Sequence, residues 1–165
     1  MIFISLSGSF LHFTFELLNR FWLAGVFSAV NESTWEHLKL AVFPAILWLI
    51  LEKKVFRLKA DNFLFAKAVG TYLMPVLIII FFYSYKAILG HNLLVIDISL
   101  FFVSAILGQI ASYKIMCRPE FAGKFGRISF LALTILALAF VVFTFYPPHL
   151  FIFNDPIYGQ YGIIK

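Results

Sequence analysis

The sequence predicts an all-α integral membrane protein, a bundle of five transmembrane helices with an interfacial or re-entrant segment between the first and second. Three observations carry this. Of 165 residues, 62% are hydrophobic and 13% are charged, about half the usual soluble share of roughly 25%. That is too little polar surface to cover a water-facing globule. The apolar residues also come in runs close to the ~20 residues needed to cross roughly 30 Å of hydrocarbon. Finally, the basic residues flank those runs. They form no groove-sized patch, so the net charge of +5 is no nucleic-acid signature. The apolar content excludes disorder, and the lone Cys117 excludes a disulfide scaffold.

The predicted spans are about 2–18, 35–51, 62–89, 93–113 and 128–146, followed by an outer tail 147–165, all within one domain, 1–165. The first run lacks a positive n-region and an A-x-A-like site, so it is expected to remain a span rather than a cleaved signal peptide. The apolar piece Phe21 to Val30 is too short to cross alone and is expected to lie at the interface with Trp22 at headgroup level. A single helix continuing to Val30 would put Glu16, Asn19 and Arg20 near mid-membrane, which is costly. No repeat, low-complexity tract or second domain interrupts the chain.

Orientation follows from Lys and Arg near the span ends. Segments 52–67 and 114–127 carry nine, against four for Arg20, Lys39, Lys86 and Lys165 together. The two basic loops are therefore expected in the cytoplasm, with the N-terminus inside, the C-terminus outside and the protein in the cell membrane. Cys117 then faces a reducing compartment.

With that topology all four histidines and five of the eight acids fall on the outer face. His12, Glu16 and Arg20 are spaced i, i+4, i+8 and line one helix face. Ionisable groups at such depth usually face a bundle interior or a wet cavity. An internal Glu16–Arg20 ion pair with His12 bonded to a neighbouring helix is the structural alternative. The densest polar stretch is Asn31 to Lys39. Ser33 and Glu36 fit an S-x-x-E capping box, Trp35 is expected to anchor at the interface, and Lys39 to snorkel outward. The box leaves Asn31, Glu32 and His37 without a structural explanation. After Pro147-Pro148 the tail is expected to fold back over the outer mouth, bringing His149 and Asp155 towards this cluster. A headgroup-lying tail with a solvated His149 is the alternative. His91 reads as a turn residue, and Asp97 suits a helix start.

Val30-Asn31-Glu32-Ser33-Thr34-Trp35-Glu36-His37-Leu38-Lys39 resembles the VNES-x-WEHLK motif of an uncharacterised family of small multi-pass prokaryotic membrane proteins. That family also carries an early His and Glu, here His12 and Glu16. Its terminal PPH…F…DP…G-x-YG pattern is matched by Pro147-Pro148-His149, Phe153, Asp155-Pro156, Gly159 and Tyr161-Gly162. The resemblance implies that the three polar clusters belong together, and it brings no activity with it.

Three functions compete. The first is a membrane-embedded enzyme at the outer leaflet, with His12, Glu16, His37 and His149 holding a divalent metal. Glu32 or Glu36 would be its general base, and Arg20, Asn31 and Asp155 would complete the polar cluster. Its substrate would be a lipid, a lipid-linked group or another small molecule reached from the bilayer. The second is a small-solute or proton-coupled transporter or channel, for which His12 and Glu16 would form a relay. The third is an assembly subunit whose polar cluster is a docking surface. No hydrolase, nucleotide-binding or zinc-protease motif interrupts this choice.

Overall fold

The computed structural model describes residues 1–118 and 125–163. Among the described residues six α-helices follow one another: α1 Ile2–Leu17, α2 Trp22–Gly25, α3 Thr34–Lys54, α4 Phe63–Leu89, α5 Leu94–Met116 and α6 Gly126–Phe145. A 3-10 turn, Phe151–Phe153, interrupts the tail. The described residues contain no strand beyond an isolated bridge between Asn154 and Tyr161. Four helices, α3 to α6, are long and apolar enough to cross a membrane, and α1 is a shorter apolar helix. Lys124 and Lys165, both used in weighing orientation, lie outside the described residues.

α1 stops at Leu17 because the chain then enters left-handed backbone at Asn19 and Arg20, with φ of 52° and 58°. The segment from Phe21 to Val30, expected to be interfacial, forms the single turn of α2 and then coil. Its start is exposed at Trp22, while Ala29 and Val30 are buried.

α3 is the central helix. Leu38 through Val42 are all buried, so the helix is enclosed on every side rather than along one stripe. Ile4, Ala41, Ala45, Met74 and Ala105 form one core cluster, and Leu38, Val42 and Phe140 another. Small residues bring the helices close. A Cβ on Gly8 would stand 2.3 Å from the Leu40 carbonyl oxygen, and one on Gly108 would stand 2.7 Å from that of Gly70. Close backbone approach at small residues is how helices associate where the surroundings are as apolar as the side chains.

The end of the bundle opposite the NES stretch is tied by polar contacts. Lys67, counted with the basic loop, is buried and pairs with Glu52 at 2.5 Å. The Asn62 amide donates to the carbonyls of Ile115 and Arg118 at 2.6 and 2.9 Å.

Candidate functional site: a histidine–carboxylate cluster at a cavity mouth

The site is built on the three residues that precede α3. Ser33 caps that helix, its hydroxyl accepting the Glu36 N–H at 3.4 Å. The reciprocal half of the expected capping box is replaced. Ser33 N–H donates to the Asn31 side chain at 2.9 Å, and the Glu36 carboxylate takes the Val30 N–H at 3.1 Å. The coil is then clasped from the tail. Asp155 accepts the Glu32 N–H at 2.9 Å, and the Asn31 amide donates to the Gly162 carbonyl at 2.8 Å. Asp155 also accepts the N–H groups of Ile157 and Tyr158 at 2.7 and 2.9 Å, which closes its own turn. The side chains of Asn31 and Ser33 and the N–H groups of Val30, Glu32 and Ser33 are thus spent on holding this coil. The Glu32 side chain is left over, 43% exposed and aimed at His37.

His37, in the first turn of α3, meets His12 of α1 with Nε2 atoms 3.2 Å apart, and its Nε2 lies 3.4 Å from Glu32 Oε2. Among the described residues, one ligand atom from each of His12, Glu32 and His37 can be drawn within 4.8 Å of the others. His37 Nδ1 lies 2.9 Å from the Ser33 carbonyl. A carbonyl can only accept, so Nδ1 carries the proton and a neutral ring turns its Nε2 lone pair into the cluster. An N–H donated to a backbone carbonyl is also the usual device that orients a metal-ligating histidine. When protonated, His37 donates from Nε2 to Glu32 and holds that carboxyl below the usual carboxylate range, against the opposing effect of its partial burial. The carboxylate is therefore ionised where the imidazoles are neutral.

Two of the three donor separations are close to those a metal would impose, and the third, between His12 and Glu32, lies within 4.8 Å. Tetrahedral bonds of about 2.0–2.2 Å place neighbouring donor atoms about 3.3–3.5 Å apart. Both measured sides of the triangle, 3.2 and 3.4 Å, are close to that.

Other residues expected at the site lie elsewhere. Glu16 pairs with Arg20 at 3.0 Å, and both are more than half exposed. This local i, i+4 pair at the end of α1 occupies the Glu16 carboxylate away from the cluster, as the structural alternative has it. His149 is exposed, its ring 4.6 Å from that of Tyr161. The tail does fold back, but it brings Asp155 and not His149 to the coil. Glu36 does not face the cluster. It is buried against Lys39 at 2.5 Å, with Thr144 of α6 donating to it at 3.2 Å. Lys39 does not snorkel: it is fully buried and also donates to the Gly25 carbonyl and Thr144, both at 2.8 Å. A lysine snorkels only where its helix has an open side, and α3 has none at this level. Trp35 is not a free anchor either, since its ring packs 4.5 Å from Phe140 and 4.7 Å from Phe153.

The cluster stands at the edge of a cavity of about 690 Å³ bounded by α1, α3, α4, α5 and the tail. His12, Glu32, His37, Lys86 and Asp97 supply charge or hydrogen bonding to its wall, and Leu40, Ile78, Phe82, Ile98 and Phe101 supply hydrocarbon. Lys86 and the α5 residues were not expected at a site; a lone lysine near a helix end carries no distinguishing mark in sequence.

The fold and this cluster define the class: an all-helical protein of the multi-pass membrane type, with two histidines and a carboxylate at the mouth of a mostly apolar cavity. The chain belongs to the family of unknown function DUF6512, which it matches over residues 1–163. Neither the curated proteins nor the solved structures yield a match.

Proposed function

We propose that the protein is a membrane-embedded, metal-dependent enzyme acting on a lipid or lipid-linked substrate, with His12, His37 and Glu32 as its metal ligands. The observation that carries this is the convergence of their three donor atoms within 4.8 Å at the cavity mouth. Two histidines and a carboxylate leave a fourth position for water, as in catalytic zinc sites. A zinc-type ion there would lower the pKa of that water and polarise a bound ester or phosphoryl oxygen. Glu32 in this reading is a ligand and not the general base, and Glu36, sealed against Lys39, is neither. The cavity volume falls within the roughly 300–1,000 Å³ of small-molecule sites.

The enzyme reading is favoured over a channel by what lies under the cavity. Its lining residues Ile78 and Phe101 pack directly on the apolar cluster of Ile4, Ala41, Ala45, Met74 and Ala105. In this reading α1 crosses with α3 to α6, giving five spans, and the basic loops face the cytoplasm. The site then opens on the outer side. The test is turnover. The purified protein is incubated with bilayer lipids and zinc, and the lipids are followed by mass spectrometry. A time-dependent product made by the wild type and missing with His37→Ala is expected. An unchanged lipid profile across all major headgroup classes would count against an enzyme.

A further inference from the structure

Three lysines within the described helices are not exposed: Lys39, Lys67 and Lys86. The first two each hold a glutamate at 2.5 Å, as charges in apolar surroundings normally must. Lys86 differs. It is half-buried in the last turn of α4 and lines the cavity, yet no carboxylate among the described residues lies within ion-pair distance of it. Its ammonium stands 5.5 Å from the Phe82 ring centroid. A position in a last helical turn accounts for a basic residue there, but not for its place in the cavity wall without an anion.

Asp97, the carboxylate that α5 contributes to the same wall, is already engaged. One of its oxygens accepts the Tyr85 hydroxyl and the other accepts the Asn92 amide at 3.3 Å. Tyr85 is fixed in turn by the Leu93 N–H at 3.2 Å. Asp97 thus serves to tie the start of α5 to the end of α4. That leaves Lys86 as an unmatched cation in the same cavity as the His12–Glu32–His37 cluster, above Ile78, Phe82, Ile98 and Phe101.

We infer that the cavity binds an amphiphile with an anionic, phosphate-type headgroup, in which Lys86 takes the headgroup charge and the hydrocarbon chain lies on the wall formed by α4 and α5. This names a substrate class for the proposed site and rests on that reading only in assigning the ligand to catalysis; recognition by Lys86 is independent of any metal. An ammonium is a compact point charge suited to phosphate oxygens, and a charge-assisted hydrogen bond in a partly desolvated wall is stronger than a neutral one.

The full-length protein, purified in a neutral maltoside detergent, is titrated calorimetrically with hexadecyl phosphate, with hexadecylphosphocholine and with inorganic phosphate. Zinc content is measured on the same samples. Hexadecyl phosphate is expected to bind roughly tenfold tighter than its zwitterionic counterpart, inorganic phosphate far more weakly than either. Lys86→Met should abolish the preference and Lys86→Arg should retain it, which separates lost charge from a misfolded variant. Equal affinity for the two amphiphiles, or a preference surviving Lys86→Met, would overturn the inference. Inorganic phosphate binding as tightly as hexadecyl phosphate would overturn its lipid part. A protein that prefers hexadecyl phosphate through Lys86 but takes up no zinc would sustain this inference and remove the metal from the proposed site.

Discussion

Glu36 and Lys39 are opposite charges three residues apart, both buried, and they share Thr144 as a partner. Removing one member of such a pair strands the other in apolar surroundings and typically costs about 3–5 kcal/mol. Lys39→Met is therefore expected to lower the melting temperature in detergent sharply, and Glu36→Gln combined with Lys39→Met to restore much of the loss. If the single variant melts like the wild type, the pair is not sealed as described. Ser33→Ala should cost less, within the roughly 0.5–2 kcal/mol of a lost N-cap, because its 3.4 Å bond is long. Glu32 behaves differently again. Its carboxylate is 43% exposed, so Glu32→Gln should leave the melt nearly unchanged while weakening metal uptake. Its depressed pKa also sets a direction with pH. The stabilisation that the ionised form gains from protonated His37 is lost as pH falls through the lowered folded value. Metal should leave earlier in the same acid direction, because the histidine ligands must be deprotonated. Metal retained at pH 4, where free imidazole is protonated, would speak against histidine ligation.

At the scale of elements, the tail and the coil before α3 form one unit. Asp155 is buried and accepts three backbone N–H groups, one of them from Glu32, 123 residues away in sequence. Asp155→Ala would leave three part-buried donors without this acceptor, at up to about 1–3 kcal/mol for any that water cannot reach. The expected outcome is faster hydrogen exchange in both segments 30–34 and 150–162, with α4 and α5 unchanged. Exchange confined to the tail would mean that the clasp does not hold Glu32. Part of this was legible in the chain: Ser33 as cap, the polar surplus at 31, 32 and 37, and the return of the tail after Pro147-Pro148. The direction of the Glu32 side chain was not, because the backbone that aims it is pinned by a partner at the other end of the sequence. His149 misled for the same reason. Proximity of a tail to a cluster does not say which of its side chains turns inward.

For the whole molecule, composition and run length sufficed for an all-helical chain with several helices long and apolar enough to cross a membrane. Lys39 shows where such reasoning stops. A lysine five residues into an apolar helix reads as snorkelling unless it is known that α2, α3 and α6 enclose it, and Thr144 and Gly25 give no hint of this in sequence. His12 and Glu16 share one face by spacing, yet the end of α1 at Leu17 and the turn through Asn19 and Arg20 let Glu16 close a local ion pair while His12 turns to α3. The proposed orientation is open to a direct check. A cysteine placed at Tyr158, which is exposed, in a Cys117→Ser background should be labelled by an impermeant maleimide on intact cells. Labelling only after permeabilisation would put the site on the other face.

The central claim, that His12, His37 and Glu32 form a metal centre, is tested most directly by metal content. Purified protein, loaded with zinc and then desalted, should carry one ion per chain by plasma mass spectrometry. His37→Ala should carry none while keeping its helical circular dichroism, and Glu16→Gln and His149→Ala should bind as the wild type does. A well-folded wild-type protein that retains no zinc or other divalent transition metal, or a His37→Ala variant that retains it fully, would contradict the account.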